Sequence, residues 1–120
     1  MAMTVSGYIN VVNVNFKDAW RPGAITVTNT NGRSSGGVQT IGTSAETVVV
    51  SADLTAYGYA YFRNLNATNF ITIGPDSTGQ IDFLKLLAGE YAIVPLKPGI
   101  TIKATADTAA CDLQYLVYDR

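Results

Sequence analysis

The chain of 120 residues contains no histidine and a single cysteine, Cys111. Without histidine it lacks the commonest general base and the commonest transition-metal ligand. One cysteine excludes an intrachain disulfide and a metal site built on several thiolates. Its serines have no histidine to activate them as nucleophiles. We therefore predict no catalytic residues, no metal and no cofactor, with Cys111 as a buried structural thiol at the start of a strand.

Charged side chains are also scarce. Asp, Glu, Lys and Arg make up 14% of the chain, and the formal net charge is −1, whereas about 25% charged residues is usual. The sequence contains no cluster of Lys and Arg that could hold a nucleic-acid backbone. It also contains no apolar run that approaches the roughly 18 residues of a membrane span. No signal-peptide pattern is present, and a single cysteine fits a reducing compartment such as the cytoplasm. Because neutral polar surface is cheaper to bury than charge, and apolar and neutral faces are in surplus, we predict a homo-oligomer, with a trimer as the expected form.

Residues 57–74 have the clearest strand pattern in the chain. Three tyrosines alternate with smaller residues and with Phe62, which is the period of two of a pleated strand. The pattern predicts two strands joined by a polar turn as a hairpin, with Phe62 in the core. We expect the opposite row to be half covered, either by the protein's own second sheet or by another chain or a sugar. That row consists of Tyr57, Tyr59 and Tyr61.

The rest of the chain also predicts strands and turns rather than helices. Pro95 indicates an edge strand or a bulge, and Glu90 is expected to accept backbone hydrogen bonds within its turn. Short strands at intervals of about ten residues favour an all-β antiparallel β-sandwich, with a jelly roll as the best single interpretation. The other predicted strands are 5–16, 24–30, 38–41, 46–51, 81–86, 91–96, 100–106 and 112–118, and the predicted turns are 17–23, 31–37, 74–79, 87–90 and 97–99.

The N-terminal third is interpreted as a strand or arm attached to a single domain that spans residues 1–120. The glycine-rich segment 31–37 is expected to be a flexible loop or hinge, so that 1–37 forms an arm or hairpin and 38–120 the main body. An apolar stripe in this third would need cover from its own sandwich, a neighbouring subunit or a partner. The stripe consists of Tyr8, Val12, Val14 and Phe16.

Aromatic and amide side chains are the candidates for an interface or a ligand site. Trp20 is interpreted as a cap on the core, or alternatively as a ring that stacks on a ligand. The spacing of Asp76 and Asp82 indicates a turn rather than a calcium loop, and the glycosylation sequon at 66–68 is likewise interpreted as a polar turn. The candidate interface or ligand residues are Tyr8, Trp20, Tyr57, Tyr59, Tyr61, Asn64, Asn66 and Asn69.

Several strand-and-turn motifs between residues 41 and 118 resemble small virion proteins of tailed bacteriophages. The motifs are IGT (41–43), YFRNL (61–65) with Asn69, Ile73 and Gly74, LLAGE (86–90) and the terminal LVY (116–118). The resemblance implies a β-sandwich without enzymatic activity. It favours a capsid decoration (cement) protein, usually a trimer, that binds the major capsid protein on the outside of the virion. Residues 1–37 do not match this pattern. The alternative is a carbohydrate- or receptor-binding module of a phage tail or fibre.

Overall fold

The computed structural model describes the backbone of residues 3–13, 18–29 and 32–120, and the side chains of 32–120. Within these ranges the chain forms strands and turns and no helix, which confirms the all-β prediction. The strands are β1 (Met3–Asn13), β2 (Asp18–Asn29), β3 (Ser34–Ile41), β4 (Glu46–Thr47), β5 (Tyr57–Asn64), β6 (Ile71–Pro75), β7 (Leu84–Leu86), β8 (Tyr91–Pro95), β9 (Ile102–Ala106) and β10 (Cys111–Asp119).

Eight of these strands form two antiparallel sheets. Sheet 1 has the order β3-β10-β5-β8, and sheet 2 has the order β4-β9-β6-β7. Both sheets contribute to one buried cluster, with Phe62 and Leu113 from sheet 1 and Ile71, Ile73 and Ala104 from sheet 2. This arrangement confirms the predicted antiparallel β-sandwich.

Strands β1 and β2 pair antiparallel as a sheet of their own, from Met3 opposite Asn29 to Asn13 opposite Asp18. We call this pair the N-terminal hairpin. The prediction of a turn at 17–23 is wrong for residues 18–23, which belong to β2. Pro22 is tolerated there because both strands of a two-stranded sheet are edges. Val14 and Phe16 of the predicted apolar stripe lie outside the described residues.

Buried and more exposed residues alternate strictly along β5 and β10, which identifies the side of sheet 1 that faces the core. Phe62 is 1% exposed and Ala60 is equally buried, while the tyrosines between them point to the other face. Cys111 is buried at the first position of β10, as predicted. Since successive side chains of a strand point to opposite faces, the buried set defines the inner face of sheet 1.

The predicted hairpin over 57–74 is wrong, although both of its strands exist. β5 lies in sheet 1 between β10 and β8, and β6 lies in sheet 2 between β9 and β7. Both hydrogen-bonding edges of each strand are therefore occupied by other partners. Residues 65–70 cross from one sheet to the other instead of turning back along the same sheet.

Strand boundaries differ from the prediction at the start of the sandwich. Residues 34–37, expected in a flexible loop, are the first half of β3, so the boundary placed at Gly37 falls inside a strand. A Cβ on Gly36 would collide with the carbonyl oxygen of Tyr115 in β10. Gly36 thus permits close approach of two strands, a use of glycine that resembles a loop signal in sequence.

The later elements follow the prediction more closely. The strands expected at 46–51 and 81–86 shorten to β4 and β7. The edge position inferred from Pro95 is confirmed, because β8 ends sheet 1. The described part of the chain contains no helix that is long and apolar enough to cross a membrane.

Candidate assembly surfaces

The outer face of sheet 1 carries aromatic and aliphatic side chains from all four strands, among polar residues at its β3 side and its ends. Leu116 of β10, Tyr61 of β5 and Ile93 of β8 lie side by side in register. The next row contains Val38, Gln114, Arg63 and Tyr91. We call this surface the tyrosine face and define it by Val38, Tyr59, Tyr61, Tyr91, Ile93, Leu116 and Tyr118.

Ring contacts join the two strands at the centre and edge of this face. The ring centroids of Tyr61 and Tyr91 lie 6.1 Å apart, and the rings are tilted by 33°. The Tyr61 hydroxyl lies 3.5 Å from Oε1 of Gln114. Tyr91 remains 61% exposed and Ile93 43% exposed. A pair of tilted aromatic rings beside exposed aliphatic side chains presents a continuous surface suited to a protein contact.

The tyrosine row is not covered by the protein's own second sheet, so that interpretation is wrong. Sheet 2 packs against the face that carries Ala60 and Phe62. Tyr59 and Tyr61 are half-buried by neighbours within sheet 1. Tyr57, at the start of β5, is partly buried against the core cluster. Two of the three predicted tyrosines therefore belong to an outward surface without an intrachain cover among the described residues.

Asn64 is a structural residue, which contradicts its prediction as a ligand contact. It is 0% exposed. Its Nδ2 donates to the carbonyl oxygens of Asn69 at 2.7 Å, Leu86 at 3.0 Å and Leu87 at 3.2 Å. Its Oδ1 accepts from the backbone N–H of Asn66 at 2.9 Å. The amide is fully used in fixing the crossover to the end of β7, so no group is left for a ligand.

Asn66 and Asn69 also build the crossover. Oδ1 of Asn66 accepts from the backbone N–H groups of Thr68 at 2.8 Å and Asn69 at 2.7 Å, which is the local bonding of an Asx turn. Oδ1 of Asn69 accepts from the Thr108 hydroxyl at 3.1 Å. The structure therefore places these side chains in loop hydrogen bonds, away from the tyrosine face.

The last two candidates lie in the N-terminal hairpin. Tyr8 is opposite Ala24 and Trp20 is opposite Val11 in the backbone register. Their side chains are outside the described ones, so the predictions of a core cap or a stacking ring stay predictions. Of the sequence candidates, the structure brings Tyr59 and Tyr61 together on one surface.

An apolar cleft at the β7/β8 side of the sandwich was not predicted. It encloses about 290 Å³ between the two sheets. Phe62, Ile73, Val94 and Ile102 line it, and one charged residue, Lys97, belongs to its described lining. Ile81 is 52% exposed and Phe83 is 74% exposed in the same lining. The alternation of the predicted strand 81–86 does not indicate that Ile81 and Phe83 are exposed, because both residues precede the short β7 and lie outside the strand.

The opposite side of the sandwich is closed by hydrogen bonds. Nε2 of Gln39 donates to the carbonyl oxygen of Thr47 at 3.0 Å, and its Oε1 accepts from the N–H of Val49 at 2.9 Å. The Ser35 hydroxyl accepts from the N–H of Ser51 at 2.9 Å, and the Tyr115 hydroxyl donates to the carbonyl of Val49. Segment 47–51 therefore covers this side of the sandwich, held to β3 and β10 by side-chain hydrogen bonds.

Strand β8 has no such cover among the described residues. Two backbone hydrogen bonds at the ends of β8 fix its register with β5. The N–H of Leu96 donates to the carbonyl oxygen of Gly58 at 2.8 Å, and the carbonyl oxygen of Glu90 accepts from the N–H of Asn64 at 3.0 Å. Antiparallel alternation then directs the N–H groups of Tyr91 and Ile93 away from β5. Pro95 has no N–H to offer. The first half of β8 is consequently an open sheet edge, and the second half, with Val94 and Pro95, lines the apolar cleft.

Asp76, Cys111 and Glu90 have structural rather than catalytic surroundings. Asp76 lies 3.7 Å from Nζ of Lys103 and accepts from the N–H of Gly79 at 3.0 Å, which is the bonding of a turn. Burial, with smaller contributions from Asp107 and Asp112, raises the pKa of the Cys111 thiol. The described residues include no group of three or more His, Cys, Asp or Glu that could hold a metal ion. Glu90 accepts from the N–H of Leu87 at 2.8 Å, confirming its predicted turn role.

No protein-family model, curated protein or solved structure matches this chain. The tyrosine face, the apolar cleft and the open edge of β8 are therefore the basis for a functional assignment.

Proposed function

We propose that this chain is a non-enzymatic virion structural protein, a capsid decoration protein of a tailed phage. In this proposal it forms a trimer and binds the major capsid protein on the outside of the head. The observation that carries the proposal is the tyrosine face, which extends over all four strands of sheet 1. The phage context rests on the resemblance of residues 41–118 to small virion proteins.

The connectivity of the sandwich supports this proposal. Strands β3 to β10 alternate between the two sheets at every connection except β6 to β7, which are neighbours in sheet 2. Eight strands in two sheets with such crossovers are the arrangement of a jelly roll, a fold found in viral capsid and lectin domains. We assign the body to that fold as part of the proposal.

The chemistry of the tyrosine face suits a protein contact. Tyrosine is enriched in the cores of interfaces, where its ring buries area and its hydroxyl keeps a hydrogen bond. In the described strands, Arg63 and Asp112 are the charged residues on this face, and Asp112 already accepts from the Thr40 hydroxyl at 2.7 Å. Burial of this surface therefore desolvates few charges.

The area of this face sets a further requirement. Four strands spaced about 4.8 Å apart and roughly 26 Å long present on the order of 500 Å². A stable interface buries about 800 Å² on each partner. Additional surface must therefore contribute, and in this proposal the apolar cleft and the N-terminal hairpin provide it.

A sugar-binding module is the second candidate. Exposed Tyr91, beside Tyr61 and Gln114, combines a ring for stacking with an amide for hydrogen bonds. The cleft itself is lined almost entirely by aliphatic and aromatic side chains, so it offers few partners for sugar hydroxyls. The second candidate thus depends on the flat tyrosine face alone.

Two measurements test the assignment. Light scattering at micromolar concentration is expected to give the mass of a trimer, and the labelled chain is expected to co-sediment saturably with purified empty phage heads. A monomer that does not sediment with heads would contradict the decoration role. A monomer that binds a monosaccharide saturably on a glycan array would favour the second candidate.

A further inference from the structure

We propose that the apolar cleft and the open edge of β8 receive the N-terminal hairpin of a second copy of this chain. This inference rests on the proposed assembly function and identifies the partner at that site.

The N-terminal hairpin needs an additional partner. It forms a two-stranded sheet that is hydrogen-bonded to neither sheet of the sandwich in the described structure. A two-stranded sheet alone is at best marginally stable in water. Its first strand, MTVSGYINVVN, contains no charged side chain and is rich in valine and isoleucine. Such a strand gains stability by joining another sheet edge and burying apolar surface.

The cleft needs a cover of the same character. Phe62 and Ile73, both core residues, line it from the interior, and Phe83 is 74% exposed within it. The other side of the sandwich shows what a covered side looks like, because Gln39 and Ser35 bind segment 47–51 there. An apolar strand would give the β7/β8 side an equivalent cover.

The backbone and the charges of the two surfaces are compatible. The N–H groups of Tyr91 and Ile93 point away from β5 and can pair with an added strand, whereas Pro95 ends that pairing. Lys97 is the charged residue in the described cleft lining, and β1 has none. Docking therefore buries little uncompensated charge.

The short link from the hairpin to the sandwich favours a second copy over the same chain. Residues 30–33 separate the end of β2 from the start of β3, and this link reaches at most roughly 17 Å. β3 and β8 are opposite edges of sheet 1, which places them roughly 14 Å apart, and the cleft lies beyond β8. A chain that docked its own hairpin would have to stretch the link fully across the sheet. The hairpin of a neighbour has no such constraint.

Cross-linking between two differently tagged variants tests this inference. One carries Val11→Cys in β1, and the other carries Ile81→Cys in the cleft lining. Cys111 remains in both because it is buried and its raised pKa keeps it a thiol. The two are refolded together and treated with a flexible bis-maleimide. We expect a heterodimer yield about tenfold above that of a control pair, because docking raises the effective concentration of the two thiols.

The control pair replaces Ile81→Cys by Thr47→Cys, an exposed position in β4 at the opposite edge of sheet 2. Equal yields for the two pairs would overturn the proposal. So would an intrachain cross-link in the double variant Val11→Cys/Ile81→Cys that persists in about tenfold excess of unsubstituted chain, because mass action would dilute contacts between copies.

Light scattering on the same samples separates this inference from the assembly function. A trimer whose Val11→Cys/Ile81→Cys pair cross-links no better than the control overturns hairpin docking and leaves the assembly function standing. A monomeric chain overturns hairpin docking, and it overturns the assembly function as well if it does not co-sediment with heads.

Discussion

The two outer faces of the sandwich both consist of every second residue of their strands, but they carry different kinds of side chain. On sheet 2, Gln80 donates to the carbonyl and the hydroxyl of Thr72 at 3.2 and 3.1 Å and accepts from the Thr105 hydroxyl at 2.7 Å. On sheet 1, the equivalent positions carry the rings and aliphatic side chains of the tyrosine face. Sheet 2 pairs its polar groups with one another, whereas sheet 1 presents apolar area to its surroundings.

This difference is the basis for the proposal that sheet 1, rather than sheet 2, meets a partner. Threonine and glutamine in an internal network leave few groups for a new contact, and Lys85 and Lys103 add charge that is costly to bury. Tyrosine and isoleucine gain by burial. Both faces have strong β-forming residues, so strand propensity alone does not separate them.

The largest effect should come from charging the tyrosine face. We expect Tyr61→Lys/Ile93→Lys to weaken self-association at least ~100-fold, because unpaired ammonium groups would be buried and brought close together. Sedimentation equilibrium measures the association constant. The matched control is Thr47→Lys/Thr101→Lys, which adds two lysines at exposed positions of the sheet 2 side. Equal weakening by both pairs would show that the faces do not differ as proposed.

The second effect compares the two sides of β5. Phe62→Ala should lower the free energy of unfolding by about 3–5 kcal/mol, because it empties a fully buried site. Tyr59→Ala should cost less than about 2 kcal/mol, since the ring is only half-buried. Urea denaturation in the non-associating lysine background gives both values. A larger loss for Tyr59→Ala would reverse the assignment of the inner and outer faces.

The third effect concerns the crossover between the sheets. Asn64→Ala should destabilise the protein by about 1–3 kcal/mol, because three carbonyl groups, of which that of Leu86 is in a buried hydrogen bond, lose a donor. Asn66→Ala should cost about 1 kcal/mol or less, because its turn is largely exposed to solvent. Urea midpoints of both variants test this order. Equal losses would indicate that water replaces the Asn64 amide.

Local patterns in the sequence predicted the strands and the inner face but not their partners. The alternation around Phe62 identifies its side of β5, since the period of a strand is local. The pairing of β5 with β10 rather than β6 depends on residues 49 to 62 positions apart, which no local turn signal contains. The polar segment 64–69 predicts a hairpin turn, because the residues that form Asx turns are the same in a hairpin and in a crossover between sheets.

The candidate site was predictable to a similar extent. The tyrosine row indicated an exposed aromatic strand face, and Tyr91 and Ile93 join it only once β8 is placed beside β5. The apolar cleft could not be predicted from the sequence, because it arises from the gap between the edges of two sheets. Asn64 was misassigned because its amide bonds with carbonyls more than 20 residues away.

A smaller effect should come from the polar network of sheet 2. Gln80→Ala is expected to cost about 1–2 kcal/mol of stability, through the lost bonds to Thr72 and Thr105, without changing association. Tyr91→Ala should do the reverse, with weaker association and nearly unchanged stability in the non-associating background. Urea denaturation measures the stability of both variants, and sedimentation equilibrium measures their association. A loss of association in Gln80→Ala would place sheet 2 in the contact.

The smallest effect concerns the hydrogen bond that closes the β3 side. Tyr115→Phe should remove about 0.5–1.5 kcal/mol at neutral pH, because the hydroxyl no longer donates to Val49. Burial raises the pKa of Tyr115 above its ordinary value of 10.0. The unfolded chain therefore loses this proton first, and the stability that the tyrosine provides is complete below pH 10 and declines as the pH rises through the folded pKa. Phenylalanine has no proton to lose, so the stability difference between the two chains should shrink in alkaline solution. Urea midpoints between pH 7 and pH 11 measure the trend, and a difference that stays constant would show that Tyr115 ionises alike in the folded and unfolded chains.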